Sequence, residues 1–157
     1  MQLSQVEKMV FYYEDMQEGM LLMSPARTVT EADIVNFAGV SGDFNALHMD
    51  AEYAQGHPFG RRAAHGLLVL AITSGLCSRM LFSQLTASSR LALAGLDCQW
   101  LKPVFIGDTI RVQMSVHSRT PSATRVGTGV VCFLRRVFNQ DGTEVLRSTW
   151  NVLMKMR

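Results

Sequence analysis

Between Gly66 and Ser78 the chain runs Gly-Leu-Leu-Val-Leu-Ala-Ile-Thr-Ser-Gly-Leu-Cys-Ser without one charge, and Arg79 is the first residue to interrupt it. A segment apolar on nearly all sides has to be packed against other elements rather than laid on a surface. A bilayer span needs about 20 predominantly apolar residues. This stretch is shorter and is broken by Thr73, Ser74 and Gly75. The segment from His65 to about Phe82 is therefore expected as a central buried helix around which the rest is arranged.

The start of that helix has two readings. Gly66 lacks a side chain, so its backbone N–H at the positive helix end can approach an anionic group closely. It equally suits a tight loop-to-helix junction. A lone His-Gly pair does not choose between them.

A chain of 157 residues suits one domain with a proper core. Its 48% hydrophobic and 18% charged residues describe a globular protein, apolar enough to point to surface hidden in an oligomer. The net charge of +2 comes from scattered basic residues, which excludes a nucleic-acid footprint. Three cysteines without paired spacing fit reduced thiols. The N-terminus has no basic run followed by an apolar one, so a cytoplasmic location is expected. No membrane partner is expected either.

Residues 1–18 show no clean period and read as an N-terminal arm, leaving 19–157 as a single domain. Met20 to Val29 reads as a strand, with Pro25 confining part of it to an edge or bulge. Thr30 offers an N-cap oxygen, and Glu31 and Asp33 place negative charge in the first turn of a helix. Ile34, Phe37 and Ala38 give it an apolar face, and Gly39 and Gly42 are expected to break it. Asp50 is placed to cap a short helix through Tyr53 and Ala54.

Ser41-Gly42-Asp43-Phe44-Asn45-Ala46-Leu47-His48 is the chemically dense segment. Asp43 and His48 do not share a regular helix face, but a turn containing Gly and Asn can fold both toward one point. A carboxylate and an imidazole converging on one water form a general acid/base pair. Equally, Asp43 suits a cap, His48 a satisfied turn position, and Asn45 a turn former. His48, His57 and His65 lack the spacing of a zinc site, and no metal is expected. Arg61 and Arg62 read as surface charge or phosphate contacts.

Beyond Phe82, Ser83 to Arg90 is polar and turn-like. The period then becomes two: Leu96, Cys98 and Trp100 alternate with Asp97, Gln99 and Leu101, and Ile110, Val112, Met114 and Val116 with polar residues. Strands are also expected from about Arg125 to Phe138 and from Val145 to Met154, with Asn139-Gln140-Asp141-Gly142 as a hairpin turn. One apolar helix followed by an antiparallel meander is best buried by a sheet curling round the helix, an α+β architecture. Cys77, Cys98 and Cys132 fall on these elements as small apolar residues, not as nucleophiles.

Gly42-Asp43-Phe44-Asn45-Ala46-Leu47-His48, the following Ala51 to Ala54, and Ala64-His65-Gly66-Leu67-Leu68 resemble the hydratase motif of the MaoC-like dehydratases. The likeness is strongest to R-specific enoyl-CoA hydratases with the hotdog fold. Lys102-Pro103-Val104-Phe105-Ile106-Gly107-Asp108 is similar to a strand turn of the same family. One departure is visible: Ala46 stands where the family usually has Pro, which frees φ at that position.

The resemblance implies a hydro-lyase adding water to a trans-2-enoyl thioester or dehydrating the 3-hydroxyacyl thioester. Asp43 would act as general base, His48 would hold the water and share proton delivery, and the Gly66 N–H would stabilise the enolate-like oxygen. Asn45, His65, Ser74, Phe44 and Phe59 are the implied substrate-binding positions. Coenzyme A or an acyl carrier protein arm would carry the acyl group, with Arg61, Arg62 and Lys102 as candidate phosphate contacts. No organic cofactor or metal is implied, and two or more identical subunits are. A hotdog acyl-CoA thioesterase and a non-catalytic acyl-thioester-binding subunit are the competing readings.

Overall fold

Thr30 caps a helix as its position predicts. Its Oγ1 accepts from the Asp33 N–H at 3.3 Å, while the Asp33 carboxylate accepts the Thr30 N–H at 2.8 Å, forming a capping box. In the computed structural model, which describes residues 9–157, this helix is preceded by two short strands. They are β1 (Leu21–Met23) and β2 (Arg27–Thr28), with the helix as α1 (Glu31–Ser41). The expected Met20–Val29 strand is thus split about Pro25. Both pieces pair with the same later strand, and Ser24 bridges the gap: its N–H donates to the Val112 carbonyl at 2.9 Å, and its Oγ accepts from the Val112 N–H at 2.8 Å.

Contrary to expectation, α1 runs through Gly39. An interior glycine costs about 1 kcal/mol relative to Ala, too little to end a helix packed through Ile34 and Ala38. Gly42 ends it, with φ of 76° and its N–H on the Ala38 carbonyl. Two short helices follow, α2 (Ala46–Met49) and α3 (Ala51–Gly56). Asp50 caps the second by accepting the Tyr53 N–H at 3.0 Å.

The apolar segment forms α4 (Gly66–Ser78), and α5 (Leu81–Leu85) occupies part of the stretch expected to be turn-like. The sheet comprises β3 (Arg90–Trp100), β4 (Thr109–Pro121), β5 (Thr128–Phe138) and β6 (Glu144–Lys155), added to β1 and β2. Its order is β1-β4-β5-β6-β3 with antiparallel pairing, β2 lying beside β4. The core joins Leu68, Val69, Ile72 and Leu76 of α4 to Val112 and Met114 of β4, Val131 and Phe133 of β5, and Leu146 and Met154 of β6. Fully burying one such side chain contributes about 1.5 to 3 kcal/mol.

The helix is not wrapped on every side. Leu67 is 59% exposed, and Ala71, Gly75 and Ser78 continue the same open stripe, because a single sheet covers one face of a helix only. Strand β3 is the sheet edge and starts six residues before Leu96, the first position of its apolar alternation; Leu93, Leu96 and Trp100 are 52%, 42% and 50% exposed.

Residues 1–8 of the predicted arm lie outside the described residues. Within the remainder, Tyr13 and Met16 belong to the core. The Tyr13 ring lies against Gly129, where a Cβ would come within 2.4 Å of it.

Candidate active site

The Gly42 turn releases the chain into an arrangement set by short polar side chains. The Asp43 carboxylate accepts from the Asn45 N–H at 3.2 Å, and the Asn45 side-chain oxygen accepts from the Leu47 N–H at 3.0 Å, capping α2. His48 therefore stands on a one-turn helix directly after the loop that carries Asp43. The two are five positions apart in sequence yet bring side-chain ligand atoms within 4.8 Å of each other, as the turn reading allows.

Two carbonyl oxygens orient the neighbouring imidazoles. His48 Nδ1 lies 2.8 Å from the Ala63 oxygen, and His65 Nε2 lies 2.9 Å from the Asp43 oxygen. A carbonyl only accepts, so each of these nitrogens carries the proton. The rings stack with centroids 3.8 Å apart at 30°, and the Phe37 ring lies 5.0 Å from that of His65 at 53°. One ligand atom from each of Asp43, His48 and His65 lies within 4.8 Å of the others. With His48 Nδ1 and His65 Nε2 protonated against carbonyls, one nitrogen of each ring is left with a lone pair.

Arg62 buttresses the turn from outside. Its Nε donates to the His48 carbonyl at 2.6 Å, and its terminal nitrogens pair with Glu31 at 2.8 and 3.1 Å. It is occupied internally rather than available to a phosphate. Arg61 lies over the Phe105 ring at 4.0 Å.

His48 and Gly66 both line a cavity of about 330 Å³, together with Leu47, Phe59, Ala63, Val69, Trp100, Lys102 and Val145 among others. That volume lies within the ordinary range for small-molecule sites. Gly66 opens α4, and among the described residues no backbone carbonyl accepts its N–H. Trp100 closes in above it: a Cβ on residue 66 would sit 2.7 Å from the indole Nε1.

The other expected substrate-binding residues occupy varied places. Phe59 lines the cavity. Asn45 caps α2, while His65 is 2% exposed behind His48 and off the cavity wall. Phe44 is 61% exposed, and Ser74 is half-buried two turns down α4; neither lines the cavity. Trp100, Val69 and Val145 were not legible as site residues, because alternation and helical spacing mark them only as apolar positions. Lys102, beside the proline turn, carried a visible signal, as a candidate phosphate contact. Cys77, Cys98 and Cys132 are unpaired, and burial pushes each thiol up from its ordinary range, against a thiolate nucleophile.

Comparison with known proteins decides the family. The MaoC like domain matches residues 15–132. The chain belongs to the MaoC-like family. Within that family it is 34% identical over 121 residues to the (R)-specific enoyl-CoA hydratase of Rhodospirillum rubrum, covering 77% of this chain and 80% of the relative. It is 29% identical over 141 residues to the 3-hydroxybutyryl-CoA dehydratase of Methylorubrum extorquens, covering 90% and 86%. Protein MaoC of Klebsiella aerogenes is 38% identical over 110 residues, 69% of this chain but 31% of that longer protein.

Among solved structures, a monoamine oxidase regulatory protein from Archaeoglobus superposes with a TM-score of 0.91 at 36% identity, covering 96% of this chain and 98% of that one. A Mycobacterium tuberculosis protein with a double hotdog fold aligns at 0.77 and 17% identity, over 94% of this chain and 45% of that one. The MaoC-like chain thus has the α+β hotdog fold expected of it, and its family supports hydratase or dehydratase chemistry on acyl thioesters. Among the described residues no helix is long and apolar enough to cross a membrane.

Proposed function

We propose that this MaoC-like chain is a hydro-lyase that adds water across the double bond of a trans-2-enoyl-CoA, or removes it from the 3-hydroxyacyl thioester. The observation that carries the reading is the placement of Asp43 and His48 within 4.8 Å of each other, with His48 and the free Gly66 N–H on one cavity wall.

In the hydration direction the thioester oxygen accepts the Gly66 N–H at the positive end of α4. Asp43 takes a proton from water as its oxygen bonds to the β carbon. The electron pair of the double bond moves to the α carbon and onto the thioester oxygen as an enolate. The bare Nε2 of His48 holds the water, and a proton returned through this pair to the α carbon completes the addition. Each removed oxyanion donor costs about 2.7 to 4 kcal/mol in enzymes where it has been tested. The reaction calls for no organic cofactor or metal; coenzyme A, or an acyl carrier protein arm, is the substrate's own handle.

A homodimer fits the exposed edge. Among the described residues the eleven of β3 have no strand partner along one side, and Leu91, Leu93, Leu96 and Trp100 stand exposed on that strand. Three unpaired thiols agree with a cytoplasmic setting.

Incubation of the purified chain with crotonyl-CoA separates the readings. A hydratase consumes the enoyl absorbance without releasing thiol. A thioesterase releases thiol, and a binding subunit does neither.

A further inference from the structure

We infer that His65 is a positioning residue, a neutral latch that fixes the Asp43 turn to the head of α4 and backs the imidazole of His48. The inference rests on the hydratase reading for its kinetic consequence, but on geometry for the latch itself.

Three observations converge on it. His65 is 2% exposed, so it is a buried polar ring with no access to the cavity. Its Nε2 sits 2.9 Å from the backbone oxygen of Asp43, 22 residues earlier in the chain. Its ring centroid lies 3.8 Å from that of His48 and 5.0 Å from that of Phe37. One side chain thus touches the backbone of the proposed base and the ring of the proposed water-holding group, while forming the N-cap residue of the helix that supplies the oxyanion donor.

The remaining nitrogen supports the same assignment. His65 Nδ1 is buried and has no hydrogen-bond partner among the described residues. A proton there would be a buried donor without an acceptor, whereas a bare nitrogen leaves only a lone pair unsatisfied. The ring is therefore held as the Nε2–H tautomer by the Asp43 carbonyl. A side chain that merely filled space would need no nitrogen; a Leu or Phe packs such a position without an orphaned atom. The latch explains why an imidazole is kept there: it registers Asp43 against Gly66 across 23 residues of chain.

The test compares three variants at His65. His65→Phe keeps a ring against His48 but loses the N–H. His65→Asn keeps an amide too short to reach the Asp43 oxygen. His65→Gln keeps a donor of similar reach. The latch predicts that His65→Phe and His65→Asn lower kcat by at least about tenfold with KM within about twofold, because transition-state geometry is lost and substrate contact is not. It predicts that His65→Gln stays within about threefold of the parent. His65→Asn keeps the comparison usable if His65→Phe fails to fold. A raised KM at unchanged kcat, parental kcat in His65→Phe or His65→Asn, or His65→Gln as slow as His65→Phe would each overturn it.

A second readout does not depend on turnover. Long-range proton–nitrogen spectra of the parent protein should place the proton of His65 on Nε2 and leave Nδ1 bare, with the Asn45 and Leu47 amide signals moved in His65→Asn but not in His65→Gln. A proton on Nδ1 overturns the latch. If the spectra match while crotonyl-CoA is untouched, the reaction reading fails and the latch stands.

Discussion

His48 Nδ1 and the Ala63 carbonyl oxygen lie 2.8 Å apart, and this contact fixes which imidazole nitrogen can do chemistry. The proton is spent on Ala63, leaving a bare Nε2 for the water. Replacing His48 by Ala removes that acceptor, and replacing Asp43 by Asn removes the carboxylate that takes the proton. Each variant is expected to lose at least about tenfold in kcat while retaining its fold, since acid–base groups contribute about 10² to 10⁴ in rate. Steady-state kinetics with circular dichroism as a fold check decide the matter. Parental rates from either variant would exclude its role.

Ala46 can accept a proline. It occupies the first position of α2, where a missing N–H costs nothing, and the preceding Asn45 has φ of −55° and ψ of 138°, a conformation that proline tolerates before it. Among the described residues no acceptor takes the Ala46 N–H. Ala46→Pro is expected to stabilise the protein by about 0.4 to 1 kcal/mol through the unfolded chain, at unchanged kcat. Urea unfolding measures the first and turnover the second.

The contact between Gly66 and Trp100 predicts an asymmetric pair of variants. A methyl on residue 66 would stand 2.7 Å from Nε1 and 3.0 Å from Cδ1 of the indole, so the ring has to move. Gly66→Ala should cost about 1 to 3 kcal/mol, as overpacking usually does, and lower turnover as the indole is displaced at the cavity wall. Combining it with Trp100→Leu should return most of the stability. Thermal unfolding of the single and double variants tests this; additive losses would show that the two residues do not collide.

Glu144 is the acid most strongly perturbed by its partners. Hydrogen bonds from Arg147 and then Arg136 bring its pKa down from 4.5 to about 2. A carboxyl with a depressed folded-state pKa adds stability that is present above its ordinary value and lost as pH falls toward the folded one. Glu144→Gln should therefore have a lower urea midpoint than the parent at neutral pH, with the gap closing between pH 4.5 and about 2. A gap independent of pH would assign the effect to packing instead.

The parts of this architecture governed by local chemistry could be read from residue order. Thr30, Asp50 and the Asn139–Gly142 turn have their partners within a few residues, and the uncharged run after Gly66 left few alternatives to a packed helix. What escaped depends on distant neighbours. Gly39 stays helical because α1 is packed, Tyr13 enters the core because Gly129 leaves room for its ring, and Trp100 faces Gly66 although its alternation resembles that of any half-buried strand. In the site, spacing foretold that Asp43 and His48 could meet. It could not show that His65 turns its Nε2 away from the cavity, since that direction is set by a carbonyl 22 residues earlier.

The central claim is tested most directly by giving the purified protein crotonyl-CoA and following both the enoyl absorbance and the product. The account predicts loss of the double bond, no free thiol, and 3-hydroxybutyryl-CoA as the product, with Asp43→Asn slower by at least about tenfold. An unchanged enoyl absorbance, or thiol released in its place, would contradict it.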